Sequence, residues 1–226
     1  LREAVVRDVA GEPIEVPWLP EGRRNGQPNW WGCFHHPAFH EHLRRQVRAV
    51  MAGGAHGLHV DDHLGTAHPA IEYGGCFCGY CMAEFRTFLQ SQPEAVWKAA
   101  GIGSLDAFDY RELVRKHAMT REAYLKVQDC LPLRREFIEF QLRAAARNVR
   151  ELHALAEEVA CRPVTLSANA WIPLPPHMVV TPLLTKQLWL SVPPKVEDEA
   201  PPPPPDAVPP LVLTVERDGV TKVNGE

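Results

Sequence analysis

The 226-residue sequence contains no run of about 18 consecutive apolar residues, so no transmembrane helix and no membrane partner are predicted. Its opening, LREAVVRDVAG, holds no apolar stretch of signal-peptide length. That opening also lacks a Met, and we expect the chain to be a fragment of a longer product. An excess of basic charge is absent too: 24 Lys and Arg face 28 Asp and Glu, so nothing points to a nucleic-acid partner. Six cysteines are too few for a disulfide scaffold in a chain that can bury a core without staples. None of the histidines falls in an H-E-x-x-H pattern, and there is no internal repeat. What remains is the composition of a globular domain, with 45% hydrophobic and 23% charged residues.

Residues 1–37 read as irregular, with a short strand over 14–18 and a loop rich in Gly, Pro, Asn and Trp over 26–32. From Pro37, Phe39, Leu43, Val47, Val50 and Met51 recur at helical steps until Gly53-Gly54 stops them. The stretch 55–62 then reads as a buried strand ending in carboxylates. A helix follows a long loop at Tyr80–Leu89, and shorter helical pieces follow at 94–100, 104–116 and 120–130, with Ser104 as a cap. Arg134 to Ala160 carries the strongest helical stripe, and 164–169 reads as the next strand, with another at 178–184. Strands separated by helices imply a parallel sheet, open or closed into a barrel. The expected fold class is therefore α/β, a (β/α)8 TIM-barrel type present as an incomplete barrel with extra helices and a clamped loop. Residues 1–190 would form this partial barrel, 191–210 a Pro-rich extended linker, and 211–226 a β-hairpin turning at Asp218-Gly219.

Cys76-Phe77-Cys78-Gly79-Tyr80-Cys81 places three thiols at C-x-C-x-x-C spacing. A loop running into the first turn of a helix can aim three sulfurs at one ion, and Cys33 is the candidate fourth ligand. Four thiolates fill a tetrahedral sphere and leave no position for water or substrate. The expected cofactor is therefore a structural Zn2+ that clamps the long loop onto the residue 25–37 loop. A thioredoxin-like dithiol at Cys78 and Cys81 is the competing reading, but it leaves Cys33 and Cys76 unexplained. Four thiolates are easiest to assemble where thiols stay reduced, which favours the cytoplasm. Cys130 and Cys161 read as small buried hydrophobes.

Asp61, Asp62 and His63 stand where a parallel strand ends, the position at which ligands bind such sheets. Glycoside cleavage needs two carboxyl groups, about 5–5.5 Å apart for retention and about 6.5–9.5 Å for inversion. Successive strand residues point to opposite sides, so Asp61 and Asp62 do not themselves make that pair. One would face the cleft while the other binds loop amides, or both simply cap the loop. Asn169 and Trp171 end the next strand, where an amide suits a sugar hydroxyl and an indole its apolar face. Trp30 and Trp31 are further stacking candidates, with packing as the alternative. The remaining histidines, His35, His36, His40, His59 and His68 among them, read as solvated or hydrogen-bonded.

Taken together, residues 28–90 resemble glycoside hydrolase family 42, the β-galactosidase-like barrels. The resemblance lies in Cys33 with Pro37, Val60-Asp61-Asp62-His63-Leu64-Gly65, the three-cysteine loop, and Phe85-Arg86-Thr87-Phe88-Leu89. It implies a carbohydrate substrate, acid/base chemistry by carboxylates, and zinc on Cys33, Cys76, Cys78 and Cys81. It also places the family's acid/base Glu on His63 and the neighbouring Asn on Asp62, so that His63, Asp61 or Asp62 carries the acid role. No strand-end Glu follows Asn169 to serve as the family's nucleophile. The alternative function is a non-catalytic carbohydrate-binding or structural barrel fragment. A homo-oligomer is compatible with either.

Overall fold

The computed structural model describes residues 2–17, 28–60 and 64–168, together with the backbone of 213–215 and 221–223. Two compact units divide the chain at Asn169 and Ala170.

The first unit opens with an arm held by backbone bonds rather than by regular strands. Val6 N–H donates to Trp31 C=O at 2.8 Å, Trp31 N–H to Ile14 C=O at 3.1 Å, and Ile14 N–H to Val6 C=O at 3.0 Å. These three bonds close a ring, and they leave only isolated antiparallel bridges where a strand over 14–18 was expected. Asp8 turns the arm: its carboxylate accepts the N–H groups of Gly11 and Glu12, each at 2.9 Å. Val6, Val9 and Ile14 are fully buried, so the arm is part of the core.

Helix α1 spans Pro37–Ala52, with Pro37 in the first turn, Gly53 as C-cap, and the His36 ring accepting the Ala38 N–H. Strand β1 is Gly57–Val60. Helices α2 (Ala67–Glu72), α3 (Gly79–Gln90), α4 (Glu94–Ala99), α5 (Tyr110–Arg115) and α6 (Arg121–Val127) follow, then a 3-10 turn at Gln128–Cys130. Asp109, not Ser104, caps α5, its carboxylate accepting the Arg111 N–H at 2.8 Å; Ser104 serves a separate turn by accepting the Asp106 N–H.

Helix α7, Arg134–Ala160, is the spine of the unit; its 27 residues span about 40 Å. Its N-terminal half meets an aromatic core of Phe77, Phe85, Tyr110, Phe137 and Phe140. Tyr110 lies 5.0 Å and Phe85 5.1 Å from the Phe137 ring, within the favoured range for aromatic pairs. Its C-terminal half packs Leu152, Leu155 and Ala156 against Val47 and Met51 of α1. Arg134, 8% exposed, ties the start of α7 to the end of α2 by donating to Ala70 C=O at 2.9 Å and Ile71 C=O at 3.3 Å. It also donates to the Tyr124 hydroxyl and the Gln128 side chain. Its charge thus sits on carbonyl dipoles at a helix C-terminus, the end that favours a cation.

Strand β2, Thr165–Ala168, lies parallel to β1 with His59 opposite Ser167 and Val60 opposite Ala168. In the second unit, β3 (Leu213–Val215) pairs antiparallel with β4 (Thr221–Val223). The turn between them and the expected strand over 178–184 lie outside the described residues.

This architecture overturns the expected (β/α)8 barrel. Among the described residues of the first unit the parallel sheet has two strands, and the other regular elements are helices. The helix–turn–strand steps at 37–60, where Gly53-Gly54 ends the helix, and at 134–168, where Cys161, Arg162 and Pro163 follow it, do produce parallel pairing. The intervening stretch, however, spends its apolar residues on the aromatic core around α3, α5 and α7 instead of on further strands.

Candidate metal centre

Three segments converge on one point. The arm positions Cys33, whose N–H donates to Ala4 C=O at 2.9 Å just before α1 begins. The loop after α2 brings Cys76 alongside the arm, where Phe77 N–H donates to Arg7 C=O at 2.8 Å. Gly75 makes this approach feasible: a Cβ there would stand 2.6 Å from both Ile14 Cδ1 and Val6 Cγ1. Cys78 is the N-cap of α3, and Cys81 lies in its first turn.

The Cys33 sulfur stands 3.6 Å from that of Cys78, 3.6 Å from Cys81 and 3.7 Å from Cys76. All four sulfurs lie within 4.8 Å of one another. A tetrahedral ion with bonds of about 2.3 Å requires sulfurs about 3.8 Å apart, close to the three separations from Cys33. A disulfide needs about 2.05 Å, and all four cysteines are free. Cys33, Cys76 and Cys81 are fully buried and Cys78 nearly so. Two backbone amides also point at sulfur: Arg7 N–H donates to Cys76 at 3.4 Å and Cys81 N–H to Cys78 at 3.5 Å. Such bonds suit thiolates, which accept better than thiols.

Three of the thiols are shifted in opposite senses. Hydrogen bonds from Cys33 first, then Cys76 and Cys81, hold Cys78 far below the ordinary thiol range. Cys33 is pushed well up by its hydrogen bonds to Cys76 and Cys78, and Cys81 by burial. Binding of a metal ion to thiolates releases thiol protons, so affinity at such a site rises with pH.

A polar chain links this centre to α7. His35, two residues beyond Cys33, places Nε2 3.0 Å from Gln141 Oε1 and Nδ1 3.2 Å from the Glu84 carboxylate, while its ring stacks on Phe140. Arg147 donates to the same carboxylate at 2.9 Å. Pattern reading missed this chain, because a histidine and a glutamine 106 positions apart leave no shared spacing to detect.

Of the residues assigned to substrate and catalysis, Trp31 is buried, stacked on Tyr73 at 6.1 Å and edge-on to His68 at 5.0 Å. Trp30 is half-buried and bridges to Glu15. Asp61, Asp62, His63, Asn169 and Trp171 lie outside the described residues. Cys130 and Cys161, expected to be buried, are both exposed: one sits in the 3-10 turn, the other just past the end of α7.

No family model matches the chain. No solved structure matches it either. Alpha-agarase of Thalassotalea agarivorans is 25% identical over 142 residues, covering 60% of this chain and 10% of the relative. The chain thus spans about a tenth of the length of that relative, and the likeness is distant and partial. No helix among the described residues is long and apolar enough to cross a membrane.

Proposed function

We propose that the chain is a metal-clamped module of a carbohydrate-active protein related to glycoside hydrolases and acting on glycosidic bonds. The observation that carries this reading is the likeness to alpha-agarase over 142 residues. The resemblance of residues 28–90 to family 42 also supports it. In this reading Zn2+ occupies Cys33, Cys76, Cys78 and Cys81. The closed set of four thiols gives the ion a structural role, because no coordination position is left for substrate. Asp61, Asp62 and His63 follow β1 directly and supply the acid/base group, and Asn169, Trp171, Trp30 and Trp31 contact sugar.

The test is release of reducing ends from agarose oligosaccharides by the chain and by Asp61→Ala and Asp62→Ala variants. Turnover that disappears in either variant, with metal content and melting unchanged, supports the catalytic assignment. Turnover retained in both removes these residues from the mechanism. His63, standing where the resembled family carries its acid/base Glu, favours a second reading, a non-catalytic carbohydrate binder. Saturable oligosaccharide binding without reducing-end release would select it.

A further inference from the structure

Six side chains at α1, α3 and α7 close a ring on the surface of the first unit. Tyr80 of α3 meets His36, the N-cap of α1, with ring centroids 4.6 Å apart and planes at 63°. One helical turn beyond His36 is His40, whose Nε2 lies 3.3 Å from the Glu151 carboxylate of α7. Arg147, one turn before Glu151, places Nε 4.0 Å from that carboxylate and donates to Glu84 of α3 at 2.9 Å. Glu84 stands one turn after Tyr80, which completes the ring. The side chains of Glu84, Arg147 and Glu151 remain 39%, 49% and 43% exposed, so each can bond a further partner from solvent.

Tyr80 is 46% exposed, the one aromatic among the exposed large apolar side chains of the described residues. It lies in the chain between Cys78 and Cys81, whose sulfurs each stand 3.6 Å from that of Cys33. The thiol cluster therefore anchors the backbone on both sides of the phenol, and part of the ordering that binding would cost is met in advance. A rigid aromatic plane gives contact area to the C–H face of a sugar ring. Carboxylate and guanidinium groups beside it make the stronger, charge-assisted class of hydrogen bond to hydroxyls.

We infer that this ring is a subsite for one sugar unit of an oligosaccharide, with Tyr80 as the stacking face and Glu84, Arg147 and Glu151 as hydroxyl contacts. The ligand class rests on the carbohydrate reading above; the location rests on the ring of contacts and on the thiols that hold Tyr80.

The experiment is titration of tyrosine-labelled protein with agarose oligosaccharides, following the ring resonances of the four tyrosines by NMR. Tyr110 and Tyr124 are fully buried and serve as internal controls. Tyr80→Ala, Tyr80→Phe and Glu151→Gln variants are run alongside, each checked for unchanged metal content and melting. The expected result is saturable shifts at Tyr80 but not at Tyr110 or Tyr124. Binding should weaken about 10-fold or more in Tyr80→Ala and about 3–10-fold in Glu151→Gln, and stay within about 3-fold in Tyr80→Phe. Binding that leaves Tyr80 unmoved and is unaffected by Tyr80→Ala overturns this inference while the carbohydrate reading stands. Absence of binding by the unmodified chain overturns both. Shifts at Tyr80 that follow protein concentration, without response to oligosaccharide, would assign the ring to a second copy and likewise overturn it.

Discussion

Cys78 caps α3 and also joins the thiol cluster, so helix start and metal centre share one atom. Serine at Cys76 keeps the loop's size but weakens the donor set. Cys76→Ser should reduce bound metal well below that of the unmodified chain and lower the melting temperature, as metal analysis and calorimetry would show. At His35 the side chain bridges rather than ligates. His35→Phe keeps a ring on Phe140 but leaves the buried Gln141 oxygen without its partner; a loss of about 1–3 kcal/mol in denaturant melts is expected, with metal retained. Glu84 adds a pH dependence. Burial pulls its carboxyl upward, but His35 and Arg147 outweigh that and hold it below its ordinary value of 4.5. A carboxylate lowered in the folded state contributes stability in full above 4.5 and loses it as pH falls through the lowered value. Glu84→Gln should therefore flatten the acid limb of the melting profile below about pH 5 and leave its slope near neutrality unchanged.

At the scale of elements, the two ends of α7 depart from the usual helix chemistry. Leu133 and Cys161 both adopt positive φ, 59° and 51°, where glycine is the unstrained choice. Cys161 is exposed, so Cys161→Gly relieves the left-handed cost without opening a cavity. A gain of about 0.5–1 kcal/mol is expected, about 2–4 °C in melting temperature for each kcal/mol. Periodicity made α1, α3 and α7 legible in the sequence, since Leu152 and Leu155 recur at the step that reaches Val47 and Met51. The sheet was less legible. A helix–turn–strand rhythm reports that neighbouring strands run parallel, not how many follow, and the short helices α4 to α6 share a composition that suits either helices or connections. The exposure of Cys130 and Cys161 was not legible either, because burial of a lone cysteine depends on which face of its turn it occupies. The thiol cluster was legible because its donors sit at fixed short spacing, apart from Cys33.

For the first unit as a whole, the arm, the cysteine loop and α7 are interdependent. The arm supplies Val6, Val9 and Ile14 to the core and an amide to Cys76, so metal and arm should be lost together. Deleting residues 1–16 should lower metal affinity and expose apolar surface even though all four cysteines remain, which metal competition and dye binding would reveal.

The ligand spacing also orders events in time. Cys76, Cys78 and Cys81 are near neighbours, whereas Cys33 lies 43 positions before the first of them. A nascent or refolding chain can therefore capture an ion in a loose three-sulfur claw before the distant sulfur arrives, and ring closure over that long segment completes the sphere. Metal exchange in the finished protein would run this sequence backwards, with release of Cys33 as the opening step.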